Sequence, residues 1–335
     1  MICRRLRSPA LLLVAAAMVA AGCAAQPAAA PGPRPSRIPD PPSPAANPTT
    51  PDKVALGKQL FFDRRVSGPG NYSCETCHVR DKGWTDGLPL SPRADGTPNT
   101  RHSPTMYNVG YLTTWYWDGR SPTLESQILA AWRVQMAADP AVVAARLAAI
   151  PGYREAFQRV FGGPPARENI PMALAAFLRT LRSGDSPWDR YEMGDRNAVP
   201  ADAVAGHTLF TGKARCVACH YPPLYTDSLF HNVGLEHGKA RPDPGRFNVT
   251  RAPKDTGAFK TPTLRSVAIS GPYFHDGSVV SLEEAVRYMT SGGKPDPNKD
   301  PLLIPAALTD REIAHIVAFF RSLTSDEPLV RPTLP

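Results

Sequence analysis

Gly57-Lys58-Gln59-Leu60-Phe61, followed at Cys74-Glu75-Thr76-Cys77-His78 by two thiols and an imidazole, has a counterpart later in the chain. There Gly206-His207-Thr208-Leu209-Phe210 is followed by Cys216-Val217-Ala218-Cys219-His220. Each G-x-x-L-F stretch has helical spacing and few breakers, which predicts a helix running into a C-x-x-C-H turn. One such match could arise by chance. Two, each just upstream of the same motif, predict duplicated domains. C-x-x-C-H is a haem c attachment pattern, because two thiols can add to the two vinyl groups of one porphyrin while the next histidine reaches the iron from the same side. Cys74 and Cys77, and Cys216 and Cys219, are therefore expected to carry two covalently bound haem c groups, with His78 and His220 on the irons. For a single motif the plainer alternative is a zinc or redox pair beside an ordinary histidine; two motifs weigh against it.

The cysteine count agrees. Of the six cysteines, Cys3 lies in an N-terminal leader, Cys23 closes it, and the other four make the two pairs. Four cysteines in an exported chain could instead form two disulfides. However, both pairs run directly into histidine, no cysteine is spare, and a two-residue gap is a redox-type spacing. The leader, residues 1–22, reads as an export signal. Arg4, Arg5 and Arg7 form a basic head, and Ala10 to Ala21 an apolar run too short to span a bilayer comfortably. It ends in Ala20-Ala21-Gly22-Cys23, which resembles the lipobox of bacterial lipoproteins; ordinary cleavage near Ala24 is the alternative. Residues 23–51 are rich in proline and alanine with hardly a bulky apolar side chain, a composition suited to a semi-rigid, solvated tether. The expectation is a periplasmic protein that meets the membrane only through a lipid on Cys23.

A chain of 335 residues, 42% of them apolar, can bury one large core or two ordinary ones. The formal charge of +8 comes partly from the leader and from scattered arginines. No Lys/Arg cluster is interleaved with aromatics, so nucleic acid is not an expected partner. Apolar helical faces run from Leu124 to Met136, Pro140 to Ile150 and Ile170 to Leu181. Thr309-Asp310-Arg311-Glu312 is a capping-box pattern leading into Ile313, Ile316, Val317, Phe320 and Leu323. No convincing alternating strand is present. The predicted fold is mostly α, with two cytochrome c-like haem domains at 52–195 and 196–335, long loops, and the haems near the domain interface.

Longer motifs add a family resemblance. Thr261-Pro262-Thr263-Leu264-Arg265 runs to Gly271-Pro272-Tyr273-Phe274-His275-Asp276-Gly277 and on through Leu282-Glu283-Glu284-Ala285-Val286-Arg287-Tyr288-Met289. Around the first motif lie Arg101-His102-Ser103-Pro104-Thr105, Asn108 and Trp117-Asp118-Gly119-Arg120. Over roughly Pro51 to Leu323 these stretches resemble the bacterial dihaem cytochrome c peroxidase and MauG family. The resemblance implies Met289 as the second ligand of the electron-transfer haem, a soft thioether that favours reduced iron. Packing within its helix, with neighbouring Tyr288 as ligand, is the alternative. It also implies Trp117 as an electron relay between the haems and Gln127 as a residue of the peroxide pocket.

Three departures stand out. The position of the peroxidases' displaceable distal histidine is Ala94, so the first haem is expected to be open without reductive activation. The family's distal glutamate has its nearest match at Gln135, within Val134-Gln135-Met136; glutamine can hydrogen-bond peroxide but cannot shuttle its proton. His102 replaces the asparagine of an interdomain calcium site whose carbonyl positions match Ser270 and Pro272. Imidazole suits that hard cation poorly, which leaves calcium open and His102 either at the first haem's edge or in packing.

The function implied is a peroxide-dependent haem oxidoreductase, a cytochrome c peroxidase. Hydrogen peroxide would bind opposite His78 near Gln127 and Gln135, and Trp117 would connect that site to the His220/Met289 haem. Electrons would enter there from a small cytochrome c or cupredoxin. The alternatives are MauG-like oxidation of a side chain in a protein substrate, and a dihaem electron-transfer cytochrome without turnover.

Overall fold

Thr50 accepts a hydrogen bond from the backbone N–H of Lys53, and proline occupies the first helical turn, so α1 runs Pro51–Phe62. The computed structural model describes residues 38–325 and 329–335. The expected leader, residues 1–22, and Cys23 lie outside the described residues. After α1 come α2 (Leu124–Val134), α3 (Pro140–Ala148), α4 (Pro151–Phe161), α5 (Asn169–Leu178) and α6 (Pro187–Glu192). They are followed by α7 (Ala201–Thr211), α8 (Phe247–Thr250), α9 (Leu282–Thr290) and α10 (Asp310–Ser322). The only strands among the described residues are β1 (Phe230–His231) and β2 (Phe259–Lys260), an antiparallel pair in register Phe230 to Lys260. The molecule is mostly helical, with long loops, as the sequence predicted. Among the described residues no helix is long and apolar enough to cross a membrane.

Two cores organise these elements. The first is built from residues between Leu56 and Leu181, the second from residues between Trp188 and Leu323. α6 lies ahead of the expected division at 195/196 yet belongs to the second core, because Trp188 stacks against Tyr191 and His207. Phe61 and Phe210 are fully buried, each burial worth about 2 kcal/mol.

The repeated G-x-x-L-F motif explains how each core closes. A Cβ on Gly57 of α1 would lie 1.9 Å from the Ala173 carbonyl oxygen of α5; one on Gly206 of α7 would lie 1.9 Å from the His315 carbonyl oxygen of α10. Each glycine lets two helix backbones touch, beside Phe177 in the first core and Phe319 in the second. The predicted capping box starts α10: Thr309 accepts from the Glu312 N–H, and Glu312 accepts from the Thr309 N–H at 2.7 Å.

Both described ends of the chain are seated on the first core. Ile38 and Asn47 are buried, Tyr111 donates to the Pro39 carbonyl, and Asn47 donates to Glu125 at 2.7 Å. Ile38 and Asn47 thus anchor the later part of the Pro/Ala-rich stretch on the first core, while most of its other residues stay exposed. At the other end Leu329 packs on the first core, Arg331 pairs with Glu75, and Arg65 donates to the Pro335 carbonyl at 2.8 Å.

Candidate active site

Each C-x-x-C-H turn forms a short 3-10 helix whose histidine is tautomerically fixed. His78 Nδ1 lies 2.8 Å from the Trp84 carbonyl oxygen, and His220 Nδ1 lies 3.0 Å from that of Tyr225. A carbonyl can only accept, so Nδ1 carries the proton and Nε2 keeps its lone pair, the form an axial ligand requires. Burial lowers both histidine pKa values, which favours the neutral ring. All four thiols are free. Burial pushes Cys74 and Cys216 up to about 12 and Cys77 and Cys219 up to about 11, so in the unmodified protein all four rest as thiols.

Cys74, Cys77 and His78 open onto a cavity of about 270 Å³ whose walls include Phe61, Ile128 and Leu174. Gln127, Gln135 and Trp117 line the same cavity, so three residues singled out by resemblance meet there. Gln135 ends α2, and its Oε1 is buried without a hydrogen-bond partner. The Ala94 N–H donates to the Gln135 backbone carbonyl at 2.9 Å, which places the alanine that replaces a histidine beside that glutamine. Among the described residues no carboxylate lines the cavity. An apolar chamber with attachment thiols, a free imidazole nitrogen and an orphaned amide oxygen fits a haem with space for a small polar ligand. Lys260 also lines it, and burial lowers its ammonium to about 8.

The described residues include a second duplication, offset by 158 positions. Asn108 and Ser266 have positive φ and start 3-10 turns at Val109 and Val267. The pairs Trp115–Ser121 and Tyr273–Val279 form matching bridges, and Tyr116 and Phe274 both have φ of 68°. Thr123 caps α2 with Ser126 as Ser281 caps α9 with Glu284. The two loops meet reciprocally. The His102 N–H donates to the His275 carbonyl at 2.7 Å, and the Lys260 N–H to that of Trp117 at 2.8 Å. Their matching residues Trp117 and His275 face each other with ring centroids 6.5 Å apart. The signal was legible as Pro104-Thr105 against Pro262-Thr263 and Asp118-Gly119 against Asp276-Gly277.

Met289 lies on α9, half-buried, and is not among the side chains of the second core. Tyr288 is engaged elsewhere, its hydroxyl donating to the Val233 carbonyl at 2.9 Å. Beyond sequence reading lies the group around His231, whose ring is held between Asp227 and Asp300 and raised to about 9, chiefly by the Asp227 hydrogen bond. Asp227 and His231 are four residues apart, but Asp300 lies 69 residues on, so the sequence does not suggest the group.

His102 is buried, its Nδ1 2.9 Å from the Leu88 carbonyl, and its Nε2 has no partner. The side chain thus offers a nitrogen where a calcium ion wants oxygen, and does not fit that ion.

Comparison with known proteins agrees with this architecture. Residues 51–197 match the family model of di-haem cytochrome c peroxidase. The chain is 41% identical over 301 residues to the methylamine utilization protein MauG of Methylorubrum extorquens, covering 88% of this chain and 84% of the relative. It is 39% identical over 359 residues to cytochrome-c peroxidase IdrP1 of Denitromonas iodatirespirans, covering 97% and 95%. Among solved structures, a MauG-like protein associated with microbial copper homeostasis superposes with a TM-score of 0.82 at 32% identity, covering 89% of this chain and 96% of that one.

Proposed function

The chain belongs to the di-haem cytochrome c peroxidase family, and from this we propose that it reduces hydrogen peroxide with electrons from a small redox protein. The observation that carries the reading is the cavity at His78, where Gln127 and Gln135 share a chamber with an attachment motif, the Gln135 amide oxygen buried without a partner.

Haem c groups on Cys74/Cys77 and Cys216/Cys219 would be held by His78 and His220, the second also by Met289. They would supply the redox chemistry when bound. The protein's own part is positional. Gln127 and Gln135 provide hydrogen-bonding amides for peroxide, and the apolar walls exclude competing water. Neither amide can carry a proton as a carboxylate does, so the protons consumed in reducing peroxide must reach the site by another route. Trp117 lines the cavity, donates its indole N–H to the His102 carbonyl at 2.9 Å and meets the His275 ring, which supports its reading as a relay. The basic head, apolar run and Cys23 support a periplasmic, lipid-anchored location, with a small cytochrome c or cupredoxin as donor.

Rapid mixing of the diferric protein with hydrogen peroxide tests the assignment. The His78 haem should react first, with oxidation of the His220 haem following. In Trp117→Phe, where volume is nearly kept, the first event should persist and the second slow. A protein whose spectrum ignores peroxide is not a peroxidase; equal second phases in both proteins reduce Trp117 to packing.

A further inference from the structure

We infer that Ala131 determines which of the two haems is reactive, because it occupies in the first half the position that Met289 occupies in the second. The inference rests on the reading of Met289 as an iron ligand and goes beyond it by explaining why the first site lacks one.

The equivalence is geometric. α2 begins at Leu124 and α9 at Leu282, after capping boxes at Thr123 and Ser281 that match at an offset of 158. Upstream, the bridges Trp115–Ser121 and Tyr273–Val279 hold the same register. So do two side-chain hydrogen bonds: Trp115 Nε1 to the Val109 carbonyl at 3.2 Å and Tyr273 Oη to that of Val267 at 3.1 Å. Downstream landmarks are 142 apart, since the Asn108 N–H donates to the Leu181 carbonyl as the Ser266 N–H donates to that of Leu323. α2 and α9 therefore start from equivalent frames. With no interruption of either helix, the eighth residue of each stands at the same place, Ala131 in one and Met289 in the other.

Ala131 lines the cavity that holds His78, Gln127 and Gln135. Its methyl group ends at Cβ and carries no donor atom. A thioether at that position would reach farther into the chamber and compete for the iron with any incoming ligand. The helix that closes the second site leaves the first one open through a single side chain. The same comparison sets Gln127 against Ala285, the fourth residue of each helix.

Ala131→Met, prepared as the full chain with both haems attached, tests this. The expected result is a second methionine-to-iron charge-transfer band and loss of cyanide binding at the His78 haem. The peroxide reaction should slow about a hundredfold if the thioether is bound all but 1% of the time. Ala131→Leu, similar in volume but without sulfur, should show no new band and should still bind cyanide. Should Ala131→Met not assemble, Ala131→His offers another sixth ligand and should close the site in the same way. Met289→Ala separates the two readings: it should open the His220 haem to cyanide and remove the existing band. If Met289→Ala leaves the second haem closed, the ligand assignment fails. If it opens that haem while Ala131→Met and Ala131→His leave the first one reactive and free to bind cyanide, the assignment stands and the inference about Ala131 is overturned.

Discussion

The two halves share a construction and differ in what faces the cofactor. Gly57 and Gly206 permit the same close helix crossing, and His78 and His220 are fixed by the same type of carbonyl contact. The differences gather on the opposite side. The first half presents Ala131 and two glutamines to a cavity without a carboxylate; the second carries Met289 on α9 and an imidazole clamped by Asp227 and Asp300. The attachment motifs and the contacts that orient their histidines belong to the repeated frame. In the proposed function, reactivity is set by a few side chains placed on it.

The comparison breaks or sharpens under four changes. Gln135→Glu would give the first half the carboxylate it lacks, and peroxide consumption should rise on the order of a hundredfold; an unchanged steady-state rate would mean that proton shuttling is not what limits this site. Next in size are Gly57→Ala and Gly206→Ala. Each gains about 1 kcal/mol in helix propensity but pushes a Cβ to 1.9 Å from a backbone carbonyl. With overpacking worth about 3 kcal/mol or more, the net loss is about 2 kcal/mol in both. Thermal denaturation that registers only one of them would show that the two crossings are not equivalent.

A smaller effect concerns His231. Its pKa is raised from 6.5 to about 9 by the aspartates, so its stabilisation is complete below pH 6.5 and is lost as pH rises through about 9. Allowing for solvent screening, about 1–2 kcal/mol is at stake. Denaturant midpoints between pH 6 and 10 should fall in the unmodified protein and stay flatter in His231→Gln. The smallest effect expected is none: treatment with a calcium chelator should leave peroxide kinetics unchanged, since His102 meets its neighbours through protein groups. A chelator-sensitive second phase would restore calcium to the interface.

The helices and the thiol pairs were legible because their signals are local: apolar spacing, a capping box at Thr309, C-x-x-C-H. The predicted helix to Met136 ends two residues early, since Gln135 caps it and Ala137 turns to positive φ. The carbonyls of Trp84 and Tyr225 that orient the histidines were not legible, because any backbone carbonyl looks alike in sequence. The meeting of Gln127, Gln135 and Trp117 was reachable only through family resemblance. The pairing of Ala131 with Met289 was hidden for a further reason: an alanine in a helix carries no signal until its counterpart is known.

The tail that returns to the first core also orders events in time. Arg331 pairs with Glu75 across 256 residues of chain, and Glu75 sits between the two cysteines of the first attachment motif. Synthesis runs from the N-terminus, so this clasp can form only after nearly all the rest of the protein exists. Until then Glu75, between the two cysteines, lacks this ion pair. The last stretch of chain thus ties the first motif to the far end of the sequence.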